Sequence, residues 1–164
     1  MSPYLLVPFF ALVALAQATL VPLLAPSNQP DLLLILVVAW GTIRGGGEAT
    51  LWGLGGGLLL DLLSGVPFGL QAAGLGAVGL LADLMETNFF RSNILLPPAA
   101  IFVATILYHI IEAAAMQTLG HPIVWQTYLV STVLPVAVLN TIIMPFVYAA
   151  MRRLYLREHP RLTW

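Results

Sequence analysis

Residues 31 to 63 read DLLLILVVAWGTIRGGGEATLWGLGGGLLLDLL, and this stretch decides the fold class. Two apolar runs, 31–43 and 48–63, flank a single arginine, Arg44, and the glycines Gly45, Gly46 and Gly47. Both runs read as helices, joined by a glycine turn that carries one positive charge. The same pattern continues outward. The chain is 60% hydrophobic and 8% charged, and contains no lysine. Its mean hydropathy is +0.95. Six apolar stretches emerge, at about residues 4–24, 31–43, 48–63, 68–85, 94–119 and 123–148. With six spans and both ends on one side, Arg44, Arg91, Arg152, Arg153, Arg157 and Arg161 share a compartment. The loops on the other side carry no Lys or Arg, so the positive-inside rule names the arginine side as cytoplasm. The expected fold is an all-α polytopic membrane protein with six transmembrane helices and cytoplasmic termini. Residues 1–164 form one transmembrane domain, with a polar tail at 149–164.

Length and charge exclude several classes. Six spans of about 20 residues use most of the chain and leave no room for a soluble domain. A net charge of -1 provides no basic field for phosphates, which argues against DNA or RNA binding. The absence of cysteine removes disulfides and thiolate metal sites. Ala14-Leu15-Ala16 resembles a signal-peptidase site. The basic n-region is missing, however, and the apolar run continues to Leu24, so the segment reads as a first membrane helix.

The second run is short, near 20 Å at about 1.5 Å per residue. A re-entrant hairpin over 31–63 would place Arg44 in hydrocarbon at a cost of about 2.5–3.5 kcal/mol or more. Spanning is favoured, with bilayer thinning or burial covering the mismatch. Trp40, Trp52 and Tyr148 then lie near the inner face and Trp125 near the outer one. Pro135 and Pro145 are expected kinks in the last helix. Gly53 and Gly57 in the third helix, and Gly69, Ala73 and Ala77 in the fourth, form small-residue stripes that let backbones approach.

Ionisable groups within the spans are the candidate site. Asp31 opens the second helix on the outside, where a carboxylate suits a helix N-terminus. Asp61 lies about 20 Å from the inner end of the third helix. His109 and Glu112, spaced i,i+3, share a face of the fifth. All four belong to the outer half, and Asn140 and Gln117 are candidates to join them. Asp83 and Glu86, at the inner end of the fourth helix, are expected to pair with Arg91 or Arg44, or to face a partner.

Enzymatic readings fare poorly. Asp61 and Asp83 differ in depth by about 15 Å, too far for an aspartyl dyad. There is no G-x-S-x-G, no H-E-x-x-H and no phosphate loop after the glycine runs. His109 with Glu112 lacks further obvious ligands, so no metal is expected.

Several segments resemble the MreD family, small membrane subunits of the bacterial cell-elongation (Rod) machinery. They are Pro30-Asp31-Leu32-Leu33-Leu34, Trp40-Gly41 to Arg44-Gly45, and Trp52-Gly53 with Gly56-Gly57-Leu58-Leu59-Leu60-Asp61-Leu62. Ser64-Gly65, Pro67, Gly69, Tyr108-His109, Leu134-Pro135, Leu139-Asn140, Met144-Pro145 and Val147-Tyr148 follow in order. The resemblance implies a non-enzymatic scaffold without a cofactor, with MreC, a single-span protein with a periplasmic coiled-coil and β region, as partner. RodA, a class B penicillin-binding transpeptidase and the MreB filament would be further partners. It also implies an architecture like the substrate-binding subunits of energy-coupling-factor vitamin transporters. The alternative function is therefore small-molecule uptake, with Asp31, Asp61, His109 and Glu112 lining a pocket. The arginine tail has two candidate partners, anionic membrane lipid and a cytoplasmic filament.

Overall fold

The computed structural model describes residues 3–24, 28–84 and 96–158. Every regular element among them is helical. The elements are α1 (Pro3–Leu24), α2 (Leu32–Arg44), α3 (Glu48–Ser64), α4 (Leu70–Leu84) and α5 (Leu96–Thr118). Then α6 (Trp125–Tyr128), a π-helical turn (Leu129–Val133) and α7 (Leu134–Glu158) follow without a break. Arg91 and Glu86 lie outside the described residues, as does Arg161.

The centre is α2. A helix apolar on all sides belongs in an interior, and every residue from Leu33 to Thr42 is buried. It packs against α1, α3, α4, α5 and α7. Burial thus accommodates the short 13-residue helix. The periphery is as apolar as the interior. Leu51, Leu62, Val103, Val130, Ile142 and Phe146 each expose more than half of their surface. Such a surface suits lipid and not water. Two helical stretches, Leu96–Thr118 and Trp125–Tyr155, are long and apolar enough to cross a membrane.

The tightest seam joins the antiparallel helices α3 and α4. A Cβ on Gly57 would sit 2.6 Å from the Ala72 nitrogen, and one on Gly53 would sit 2.9 Å from the Leu75 carbonyl carbon. The α4 side of this seam differs from the stripe read in the sequence. Ala73 is exposed, and Gly69 precedes the helix at φ 94° with no close neighbour. Ala72, Gly76 and Gly79 face α3 instead; a Cβ on Gly79 would sit 2.7 Å from the Ala49 carbonyl carbon. The cause is local. Asp61 of α3 accepts hydrogen bonds from the backbone N–H groups of Gly69 (3.0 Å), Gln71 (2.9 Å) and Ala72 (3.1 Å). This pins the first turn of α4 with Ala72 inward.

Asp83 does the converse. It lies one residue from the end of α4, where its own helix dipole disfavours a carboxylate. It does not pair with Arg44. It accepts from the N–H groups of Ala49 (3.2 Å) and Thr50 (2.9 Å) and from the Thr50 hydroxyl (2.7 Å). These donors belong to the N-terminus of α3, whose dipole favours the charge. Arg44 pairs with Glu48 at 3.0 Å, and the Trp40 indole also donates to Glu48. Trp40 is therefore a core residue, 1% exposed.

The last helix also departs from the sequence reading. It does not end near Tyr148 but continues to Glu158, so the first part of the expected tail is helical. At Pro135 the missing N–H and the ring disturb the bond to the carbonyl four residues back. Just before it the chain adopts the wider π turn, with the Leu134 N–H bonded to the Leu129 carbonyl. Pro145 lies inside α7, and the helix runs through it.

Candidate functional site: a polar cluster at one end of the bundle

Four elements place polar groups together in an apolar interior. α5 carries Thr105, Tyr108, His109 and Glu112 at i, i+3, i+4 and i+7, one helical face. Asp31 stands immediately before α2, Asn140 comes from α7, and Tyr128 ends α6. His109 Nε2 lies 3.1 Å from Asp31 Oδ2. The Asn140 amide donates to Asp31 Oδ2 at 3.1 Å and to the Thr105 hydroxyl at 3.0 Å. Its carbonyl accepts the Asp31 N–H at 3.0 Å. Asn140 is fully buried, and all its hydrogen-bonding groups face named partners. His109 Nδ1 lies 3.3 Å from the Tyr128 hydroxyl and 3.5 Å from Glu112 Oε2. The Tyr108 hydroxyl donates to Glu112 at 2.9 Å.

The cluster doubles as the cap of α2. The first turn of a helix has unpaired N–H groups, which in lipid must be satisfied from within the protein. Asn140 takes that of Asp31, and the Gln17 side chain from α1 takes that of Leu33 at 2.8 Å. One set of side chains thus ties α1, α2, α5 and α7 at the same end. Gly74 of α4 leaves room for the Tyr108 ring, which a Cβ there would meet at 2.9 Å.

The π turn decides which side chains meet. Tyr128 and Asn140 are twelve residues apart. On a continuous α-helix they would point about 120° apart. One extra residue in the π turn brings them to within about 20°. Both therefore face the polar stripe of α5.

Asp31, His109, Glu112 and Asn140 are thus brought into one hydrogen-bonded cluster. Asp61 is not hydrogen-bonded to it, because both its oxygens hold the start of α4. Gln117 also stays apart, accepting from the Trp125 indole at 2.9 Å across the α5–α6 turn. Sequence reading missed Thr105, Tyr108, Tyr128 and Gln17. The spacing of Thr105 and Tyr108 around His109 was a usable signal for two of them. Nothing local marked Gln17 or Tyr128. Among the described residues no group of His, Asp and Glu is arranged to hold a metal ion.

A cavity of about 190 Å³ lies elsewhere, between α2, α4 and α5. Val38, Thr42, Val78, Ala82, Ala100 and Ala104 are among its lining residues. The Thr42 hydroxyl donates to the carbonyls of Val38 and Ala39, so the cavity offers no free polar group there.

The family model for rod shape-determining protein MreD matches residues 1–156. The chain belongs to the MreD family. No curated protein and no solved structure matches it. MreD proteins are membrane proteins with a role in determining rod shape. In this MreD-family chain the match extends from α1 almost to the end of α7. It therefore embraces the polar cluster and the α3–α4 seam together.

Proposed function

We propose that this chain is a non-enzymatic, six-span subunit of the cell-elongation (Rod) complex in the bacterial inner membrane. In this reading it binds MreC and supports lateral peptidoglycan synthesis, with RodA, a class B penicillin-binding protein and the MreB filament as further partners. The observation that carries it is the MreD match over residues 1–156. The geometry supports a scaffold. Asp31, His109, Glu112 and Asn140 are engaged with one another and with the α2 terminus, and no buried side-chain polar atom among the described residues lacks a partner. Uptake of a small polar molecule has less support, since the cavity between α2, α4 and α5 is apolar and separate from that cluster. The six-span reading takes α1 to α5 and the continuous α6–α7 rod as the spans and puts every arginine on the cytoplasmic side; the helix order and the positive-inside rule support it.

The test is purification from native membranes in mild detergent, with identification of what accompanies the chain. Recovery of MreC with RodA and a penicillin-binding protein is the expected result. Recovery of an ATPase-driven energising module, or of a bound vitamin-like molecule, would overturn the reading in favour of transport.

A further inference from the structure

Three arginine side chains are described, and they are used differently. Arg44 is neutralised within the protein: its guanidinium lies 3.0 Å from Glu48 and 5.8 Å from the Trp40 ring centre. Arg152 and Arg153 are exposed on α7. Among the described residues neither has an acidic partner. They are also held in place. α7 continues as helix to Glu158, and Met151, beside them, is 6% exposed and belongs to the main apolar core. The pair is therefore carried on a packed helix and not on a loose tail.

Their depth follows from helix geometry. Trp125 and Tyr148 mark the two membrane interfaces of the last rod. The twenty-three residue steps from Trp125 to Tyr148 rise about 35 Å, enough to cross a hydrocarbon layer of about 30 Å with a modest tilt. Arg152 and Arg153 lie about 6–8 Å beyond Tyr148. The headgroup layer on each side is about 5–8 Å thick. The two guanidinium groups thus stand at the level of lipid phosphates, and their planar forks match phosphate oxygens.

We infer that Arg152 and Arg153 form a binding surface for anionic lipid headgroups on the cytoplasmic leaflet. This rests on the membrane-spanning reading given above. The depth favours lipid over a cytoplasmic protein, because a filament would have to enter the headgroup layer to reach both groups. Each arginine is expected to favour an anionic over a zwitterionic lipid about fivefold at low salt, so that the pair reaches roughly thirtyfold.

The experiment uses the full chain reconstituted into phosphatidylcholine vesicles. Brominated phosphatidylcholine or brominated phosphatidylglycerol serves as the quencher of tryptophan fluorescence. The expected result is stronger quenching by phosphatidylglycerol, weakened by salt. It should fall at least tenfold in relative association for Arg152→Gln with Arg153→Gln, and be largely kept by Arg152→Lys with Arg153→Lys. Equal preference in the wild type and the glutamine variant would overturn the inference and leave the pair to a protein partner. Wild-type protein quenched equally by both lipids would overturn it too, while leaving the spanning reading intact. Protein quenched by neither lipid would sink the spanning reading itself.

Discussion

Asp61 and Asp83 cap one another's helices. Asp61 sits in the last turn of α3 and holds three N–H groups at the start of α4; Asp83 sits in the last turn of α4 and holds two at the start of α3. The two ends of the seam are closed by the same chemistry, and close glycine contacts fill the middle. Replacing Asp61 by Leu leaves those donors unpaired, that of Ala72 buried and those of Gly69 and Gln71 half-buried. The expected loss is about 3 kcal/mol or more, read as a lower unfolding temperature in detergent. Asp61→Asn keeps one acceptor oxygen and should lose less. Equal melting of all three proteins would show that the cap is not what holds α4.

Gly57 and Gly55 make a matched pair of tests. A Cβ at Gly57 meets the backbone of Ala72, whereas one at Gly55 meets nothing within 4 Å. Gly57→Ala should therefore destabilise by about 1–3 kcal/mol as α3 and α4 are forced apart. Gly55→Ala should be neutral or stabilise by about 0.5–1 kcal/mol through helix propensity. Thermal unfolding of the two variants side by side decides the matter, and a reversed order would contradict the seam.

Asp31 and Asn140 exchange two hydrogen bonds across α2 and α7. A double-mutant cycle with Asp31→Asn and Asn140→Ala should show coupling of about 1 kcal/mol, within the range found for polar contacts between membrane helices. Strict additivity would mean that the cluster is not a unit. If the cluster also supports partner binding, both single variants should reduce recovery of MreC.

The π turn should be removable. Deleting Ser131 removes the extra residue, so Tyr128 and Asn140, then eleven apart on a continuous α-helix, keep their bearings to within about 20°. Coupling between Tyr128→Phe and His109→Gln, measurable in the parent, is expected to survive in the deletion. Coupling lost in the deletion would show that the turn does not act as a single inserted residue.

Orientation can be read directly, since the chain contains no cysteine. A single cysteine at His121, exposed in the α5–α6 turn, should react with an impermeant reagent added to intact spheroplasts. One at Arg153 should react only after permeabilisation. The opposite pattern would invert the proposed topology.

Much of the architecture was legible in the chain because apolar length is a local quantity. The limits of the helices at 31–43 and 48–63 lie within one residue of α2 and α3. The grouping of His109 with Glu112 followed from i,i+3 spacing alone. One assignment that needed revision depended on rotation about a helix axis. Gly69 and Ala73 were one position out of phase with Ala72, and one residue is about 100° of turn. Asp83 was matched to arginines by charge, although the closer donors were those of a helix N-terminus formed by another segment. The helical run past Tyr148 was hidden by its polar composition; packing of Met151 into the core is what continues it.

The sequence by itself determined an all-helical chain with a lipid-suited surface, and membership of its family. Those properties come from composition, run length and residue order, which need no partner. Only the tertiary structure decided that α2 is the buried centre, that Asp61 leaves the polar cluster to cap α4, and that a π turn turns Tyr128 toward His109. Each of these is a choice among partners distant in sequence. In a medium without water every backbone donor must find one inside the protein, so the choice is set by which helix ends and side chains the packed bundle brings within about 3 Å.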